Sequence, residues 1–247
     1  MTTQHIGRQL NTVRERIAEA ALRSGREPEA VRLVAVTKTF PVPAVLAAWE
    51  HGQRDFGESR PREGADKAYA VAQVLPEGPR PVWHMIGHIQ RRKAKWVIAQ
   101  FDIVHSIDRR ELAERLSAQA VKAKREIPVL LECNVSGEAS KHGYAAAGWE
   151  ADAATRQALL DEAAAVLALP GLRLEGLMTM APFVDDAEIV RPVFASLRGL
   201  RDLLRERFPQ ATWPHLSMGM TDDFEVAIEE GATLVRIGRA IFGAREY

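Results

Sequence analysis

Val31-Arg32-Leu33-Val34-Ala35-Val36-Thr37 is a nearly unbroken apolar run that ends on Lys38. From Leu33 to Val36 no polar residue interrupts it, so neither face of this strand is left for water. Strands of a parallel sheet covered by helices read this way, whereas half-solvated antiparallel strands alternate. The same signature returns from Val129 to Leu131. Lys38 leaves its strand and faces whatever lies above the sheet. In a closed, partly dry site, burial disfavours the ammonium and favours the nucleophilic amine. At a strand end open to water, the same lysine is only a solvating charge.

Outward from this stretch, strand-like runs recur at 31–37, 54–57, 82–87, 103–107, 129–135, 172–180, 213–218 and 234–238. Stretches with helical spacing separate them, such as Val42, Val45, Leu46 and Trp49, or Ile189, Val193, Leu197, Leu200 and Leu204. Before the first strand, Leu10, Val13, Ile17 and Ala21 share a helix face that stops at Gly25, ahead of Pro28. Eight strands with alternating helices make a closed barrel or an open doubly wound sheet. No glycine-rich dinucleotide fingerprint follows the first strand, and 247 residues suit a closed barrel. The expected fold is therefore α/β, a (β/α)₈ TIM barrel with an extra N-terminal helix. It is expected to be one unit over residues 1–247, with the helix in 1–29 and the barrel in 30–247. Pro76-Glu77-Gly78-Pro79-Arg80-Pro81 reads as a loop before the third strand.

Lys+Arg and Asp+Glu stand at 33 each, so no global field recruits nucleic acid or an anionic membrane. Cys133 is the single cysteine; it excludes an internal disulfide, suits a reducing cytosol, and has the apolar neighbours of an inert core residue. The N-terminal Met1-Thr2-Thr3-Gln4-His5 lacks a hydrophobic signal segment, and no apolar run reaches membrane-spanning length. A soluble cytoplasmic protein is expected.

Active sites of such barrels form at the carboxyl ends of the strands. The strands end on Lys38, Glu58 with Ser59, Gly87 with His88, His105 with Asp108, Asn134, Met180, Ser217 and Arg236. Only Lys38 is a strong candidate nucleophile. Ser217-Met218-Gly219-Met220-Thr221 and Arg236-Ile237-Gly238 look like a phosphate cradle. Gly219 lets backbone approach an anion, and Thr221 is expected to cap the helix carrying Phe224, Ala227 and Ile228. Leu234, Arg236 and Gly238 share one strand face, and a guanidinium on the inner face calls for an anionic partner. Asp222 and Asp223 would repel a phosphate and are expected to point outward. An ordinary capped helix beside a salt-bridged arginine would show the same residues. His84 and His88 lack further ligands at recognisable spacing, so no metal is expected. Arg91-Arg92-Lys93-Ala94-Lys95 reads as a solvated helix start, and Lys141-His142 as a polar loop that either closes over a ligand or is simply exposed.

Ala35-Val36-Thr37-Lys38, Phe56-Gly57-Glu58-Ser59-Arg60, the segment from Trp83 to Gln90, Asn134-Val135-Ser136-Gly137-Glu138, Gly176-Leu177-Met178-Thr179-Met180, the segment from Leu216 to Phe224 and that from Val235 to Gly243 together carry a resemblance. The chain resembles the pyridoxal 5′-phosphate homeostasis proteins, single-barrel relatives of the N-terminal domain of alanine racemase. The resemblance implies a fold-type III barrel for pyridoxal 5′-phosphate (PLP), with Lys38 holding the cofactor as a Schiff base. It also implies that Ser217, Gly219, Met220, Thr221, Arg236 and Gly238 hold the phosphate, with Asn134 and Met180 near the ring. Ser59 and Arg92 stand where the family usually has asparagine.

A PLP racemase needs a base on each face of the substrate carbanion. The resembled racemases take the second, a tyrosine, from a further C-terminal β-domain, whereas this chain ends at Tyr247. Tyr69 and Tyr144 are not evident substitutes, and no strand-end carboxylate is evident to pair with the ring nitrogen. The expectation is a PLP carrier acting in homeostasis, a monomer, with apo PLP-dependent enzymes as partners. The alternative is an amino-acid racemase or related fold-type III enzyme.

Overall fold

The computed structural model describes residues 2–75 and 77–244, so Pro76 of the expected loop and the Tyr247 end lie outside the described residues. The strands are β1 Arg32–Val36, β2 Asp55–Glu58, β3 Val82–Met85, β4 Ile103–Ile107, β5 Ile127–Asn134, β6 Tyr144–Ala145, β7 Leu172–Met178, β8 His215–Ser217 and β9 Leu234–Ile237. All their pairings are parallel, in the order β4-β3-β2-β1-β9-β8-β7-β5, and a β4–β5 pairing closes the ring. The expected eight-stranded barrel is the fold. The two-residue β6 hangs outside it, paired to the end of β5 through Cys133 and Asn134.

The helices are α1 Thr3–Arg23, α2 Val42–Glu50, α3 Pro61–Val74, α4 Ala94–Gln100, α5 Arg110–Lys122, α6 Ala153–Leu167, α7 Arg191–Arg207, α8 Phe224–Glu229 and α9 Arg239–Phe242. The Thr2 hydroxyl accepts the His5 N–H at the start of α1, and Gly25, at φ 69°, follows its end in the left-handed region. α8 and α9 have only six and four residues, too few to cover the last strands. The 21-residue α1 packs against α2, α8 and α9 and covers that side of the barrel instead. It buries Leu10, Val13, Ile17 and Ala21, and its far face is tied down by Arg16–Glu225 at 2.5 Å and Arg23–Glu229 at 3.0 Å.

Most of the apolar core lies between sheet and helices, while a smaller cluster of Val34, Leu130, Met178 and Leu234 packs beneath Met180. Side chains two residues along a strand share a face. Val36, Glu132, Met180 and Arg236 therefore form the next level toward the carboxyl end. β5 lies four strands from β1 in either direction around the ring, so the two walls oppose each other.

Candidate functional site

The turn that presents Lys38 is built by a buried ion pair. Lys67 Nζ donates to Glu58 Oε1 at 2.6 Å and to the Thr37 carbonyl at 2.7 Å, while Thr37 Oγ1 donates to the same carboxylate at 2.8 Å. Burial pushes the Glu58 carboxyl above its usual range, and the Lys67 charge and these hydrogen bonds oppose that shift. Phe40 N–H then closes on the Thr37 carbonyl at 3.0 Å, with Thr39 at φ 71°. A β-branched residue is rare at a positive φ, and such strain persists only where the surroundings impose it. Lys38 sits on this turn with its position fixed from both sides.

Lys38 lines a cavity of about 630 Å³ at the carboxyl end of the barrel, together with Val36, Glu132, Met180, Met220, Thr221, Arg236 and Gly238. Ser59, His88, His142 and Phe183 also line it. A volume of this size suits a small organic ligand. Six of the nine residues expected in the site thus meet on one cavity: Lys38, Met180, Met220, Thr221, Arg236 and Gly238.

Asn134, Ser217 and Gly219 are not among the lining residues. Asn134 is occupied by its own turn, donating to the Glu138 carbonyl and accepting from Ser136 Oγ and Gly137 N–H. Ser217 lies buried beneath Arg236. Gly219 acts through the backbone: at φ 92°, a Cβ there would come within 2.7 Å of Ala227 Cβ, so only glycine lets this loop lie on α8.

Two further expectations need correction. The residue at the cap position of α8 is Asp223, not Thr221, and its side chain makes no capping hydrogen bond. Asp222 pairs with Arg239 and both line the cavity, so it does not point away from it, while Asp223 turns inward and accepts the Met220 N–H at 2.5 Å. Burial raises the Asp223 carboxyl above its ordinary range, the Met220 N–H and Arg236 opposing. The acid is thus accommodated by closing its own loop. Arg236 is on the inner face as expected, yet its two terminal nitrogens donate to Ser217 Oγ at 2.6 Å and the Thr179 carbonyl at 2.8 Å. Its acceptors are neutral, and burial lowers its pKa to about 10 against the pull of Asp223 and Glu132. It is part of the cavity floor.

Below that floor runs a row of hydrogen bonds that the sequence reading missed. Ser217 Oγ meets His105 Nδ1 at 2.8 Å, His105 Nε2 meets His84 Nδ1 at 2.9 Å, and His84 Nε2 meets Asp55 Oδ1 at 2.9 Å. Burial first, and then the neighbouring His84 and Arg236, hold the His105 pKa well below its usual value. With His105 neutral, one ordering satisfies every group: Arg236 donates to Ser217, Ser217 to His105, His105 to His84, and His84 to Asp55. The strand period of two could have found it, since Asp55, His84, His105 and Ser217 all point inward.

His84 and His88 therefore part company. His88 is at the rim, where Nδ1 meets Asp108 Oδ2 at 2.8 Å and the ring stacks on His142 with centroids 4.6 Å apart. The ligand-type atoms of His88, Asp108 and His142 all lie within 4.8 Å of one another. Asp108 is already held by both His88 and Arg109, so the cluster is balanced as it stands. His142 does reach the cavity, while Lys141 pairs back to Glu138. Cys133 is buried, and burial raises its thiol pKa far above the ordinary range, as an inert core cysteine requires.

Glu132 is the other residue that was missed. Its side chain is 3% exposed and lines the cavity, and its Oε2 has no hydrogen-bond partner among the described residues. Burial, reinforced by Asp108 and opposed by Arg236, pushes its pKa up to about 7. A strand-end carboxylate is present after all.

The family model for the N-terminal domain of alanine racemase matches residues 9–246. A pyridoxal phosphate homeostasis protein of Escherichia coli strain K12 is 42% identical over 247 residues, covering 98% of this chain and 97% of the relative. The chain belongs to the pyridoxal phosphate homeostasis protein family. Another homeostasis protein, from Vibrio alginolyticus, is 43% identical over 223 residues and covers 90% of each chain. The structure of PipY from Synechococcus elongatus, solved with PLP bound, superposes with a TM-score of 0.75 at 34% identity, covering 92% of this chain and all of PipY. Ser59, a departure from the usual asparagine of homeostasis proteins, faces the cavity. Arg92, the other, lies in a short turn before α4 and bonds Gln90.

Proposed function

We propose that this protein holds PLP as a Schiff base on Lys38 and serves as a cytoplasmic carrier that buffers the cofactor and delivers it to apo-enzymes. The reading rests on one observation: the strand-end lysine of the family lines a cavity of suitable volume. PLP supplies an aldehyde that an amine captures reversibly, and an anionic tail that needs a cradle. The residues present fit both demands. The Glu58–Lys67 knot fixes Lys38, and the opposite wall offers the orphaned Glu132 oxygen. Thr221 and Gly238 bring the β8 and β9 loops to the same rim, where a Cβ at Gly219 would collide with α8. Arg236 and the row beneath it keep the floor dry and polar.

The protein is a carrier and not a racemase in this reading. Tyr69 is exposed on α3, and Tyr144 on β6 is not among the cavity-lining residues. Among the described residues, no helix is long and apolar enough to cross a membrane.

The test begins with the purified, PLP-loaded protein. Absorbance in the Schiff-base region, a borohydride-fixed adduct mapped to Lys38, and reactivation of an apo-aminotransferase are expected, the first two disappearing in Lys38→Ala. Adduct formation that persists in Lys38→Ala would overturn the assignment of the lysine. Amino-acid racemisation above the rate of free PLP, lost in Lys38→Ala, would replace the carrier with an enzyme.

A further inference from the structure

We propose that His88, Asp108 and His142 form a binding site for a zinc ion at the mouth of the cavity, and that the ion ties the loop carrying His142 to the barrel rim. The inference is independent of the Lys38 linkage proposed above, because none of the three side chains is asked to touch the cofactor.

The first argument is convergence. His88 follows β3, Asp108 follows β4 directly, and His142 stands just before β6. Three separate segments thus bring one donor atom each to the same point, all within 4.8 Å of one another. His88 and His142 also line the cavity, so the point lies at its mouth. Spacing along the chain could not show this set, because its members come from three different loops. Donor atoms around a tetrahedral zinc ion lie roughly 3.4 Å apart, given bond lengths of about 2.0–2.2 Å. The distance left to close is at most about 1.4 Å, which side-chain rotation of the two exposed imidazoles can supply.

The second argument is chemical. Two imidazoles and a carboxylate make a three-ligand zinc site with a fourth position open, whereas Mg²⁺ and Ca²⁺ prefer oxygen donors. Asp108 is aimed before any ion arrives. Its Oδ1 accepts from Arg109, which also donates to the Ile89 carbonyl at 3.0 Å. Oδ2 is therefore the oxygen left facing His88, 2.8 Å from Nδ1. Outer partners of this kind orient metal ligands. In the ion-free cluster the carboxylate is met by Arg109 and by the His88 N–H, and an ion takes the place of that proton. His142, stacked on His88 with centroids 4.6 Å apart, has no hydrogen bond among the described residues, so its ring nitrogens are open to a ligand role. Lys141 is turned back to Glu138 at 3.8 Å and Arg109 is paired with Asp108, so neither stands against the ion as an unpaired charge.

The experiment titrates Zn²⁺ into the chelator-treated, PLP-free protein by calorimetry and repeats the titration with Co²⁺, whose visible bands report coordination geometry. One ion per chain is expected, with four- or five-coordinate Co²⁺ bands and no comparable binding of Mg²⁺. His88→Ala and His142→Ala should each weaken binding by at least about tenfold, the loss that follows even from removing an outer partner. The double variant should abolish it, while His51→Ala, an exposed histidine at the end of α2, should leave it unchanged. Both imidazoles are solvent-exposed, so these variants should keep the wild-type urea midpoint, and His142→Gln, which stays polar, separates a lost ligand from a lost fold. Zinc should also slow tryptic cleavage after Lys141 in wild type and not in the double variant. Equal zinc affinity in the double variant, or no saturable binding in wild type, overturns the site whatever becomes of the Lys38 linkage. Unchanged cleavage with zinc bound overturns the tie between loop and rim.

Discussion

Lys67 reaches from α3 to the Glu58 carboxylate at the end of β2 and to the Thr37 carbonyl of the Lys38 turn. With its side chain 7% exposed and that of Glu58 fully buried, this pair has little solvent to fall back on. Removing one partner of a buried pair leaves an uncompensated charge, which typically costs about 3–5 kcal/mol. Lys67→Met should therefore lose stability of this order in urea unfolding, and should also weaken PLP capture because the Thr37 carbonyl is released. An unchanged midpoint would show that water reaches Glu58. At this scale the sequence was legible where a residue is conspicuous by type and place. Lys38 ends an apolar strand, and Arg236 alternates with Leu234 on the inner face, where the structure puts both. Glu132 was hidden by its surroundings: in a run of leucines and a cysteine, period two gives its face but not whether that face meets a ligand. Thr221 is not at the cap because α8 begins only at Phe224, after Asp223, whose carboxylate turns back to the Met220 N–H instead of capping the helix.

Among the elements, α1 has the most consequence for its distance from the site. It closes the side of the barrel that α8 and α9 leave bare, and its Leu10 is fully buried. Truncating a buried leucine to alanine costs about 2–5 kcal/mol, more where neighbours cannot collapse into the void. Leu10→Ala should fall within that range by chemical denaturation, whereas Leu22→Ala, 63% exposed on the same helix, should change little. Equal effects would mean that α1 is not docked as described. The helix was readable from spacing alone because Leu10, Val13, Ile17 and Ala21 recur with its period. The eight barrel strands were readable too, as short strand-like runs recurring between stretches of helical spacing. β6 was not: two residues carry no period, and pairing with the end of β5 is a tertiary contact.

Across the whole molecule, the polar contents of the barrel tie stability to pH in two opposing ways. Unfolded, Glu132 ionises in the ordinary carboxylate range; folded without ligand, it ionises near 7. Between those values the native state holds a proton that the unfolded state has released, so stability falls as pH rises and is level above about 7. The separation corresponds to about 3 kcal/mol. His105 acts in the other direction. Its folded pKa lies well below its unfolded one, so the unfolded state binds the extra proton, and stability climbs as pH rises toward the usual imidazole range of about 6.5. His215, lowered chiefly by burial, adds to that climb. Glu132→Gln deletes only the first contribution. The ligand-free variant should therefore gain on wild type as pH rises from about 5 to 8, by roughly 2–3 kcal/mol beyond any constant offset, with both proteins weakening in acid. Urea unfolding at a series of pH values measures this difference directly. A difference that stays flat with pH would mean that the buried Glu132 oxygen finds a partner in the folded, ligand-free protein.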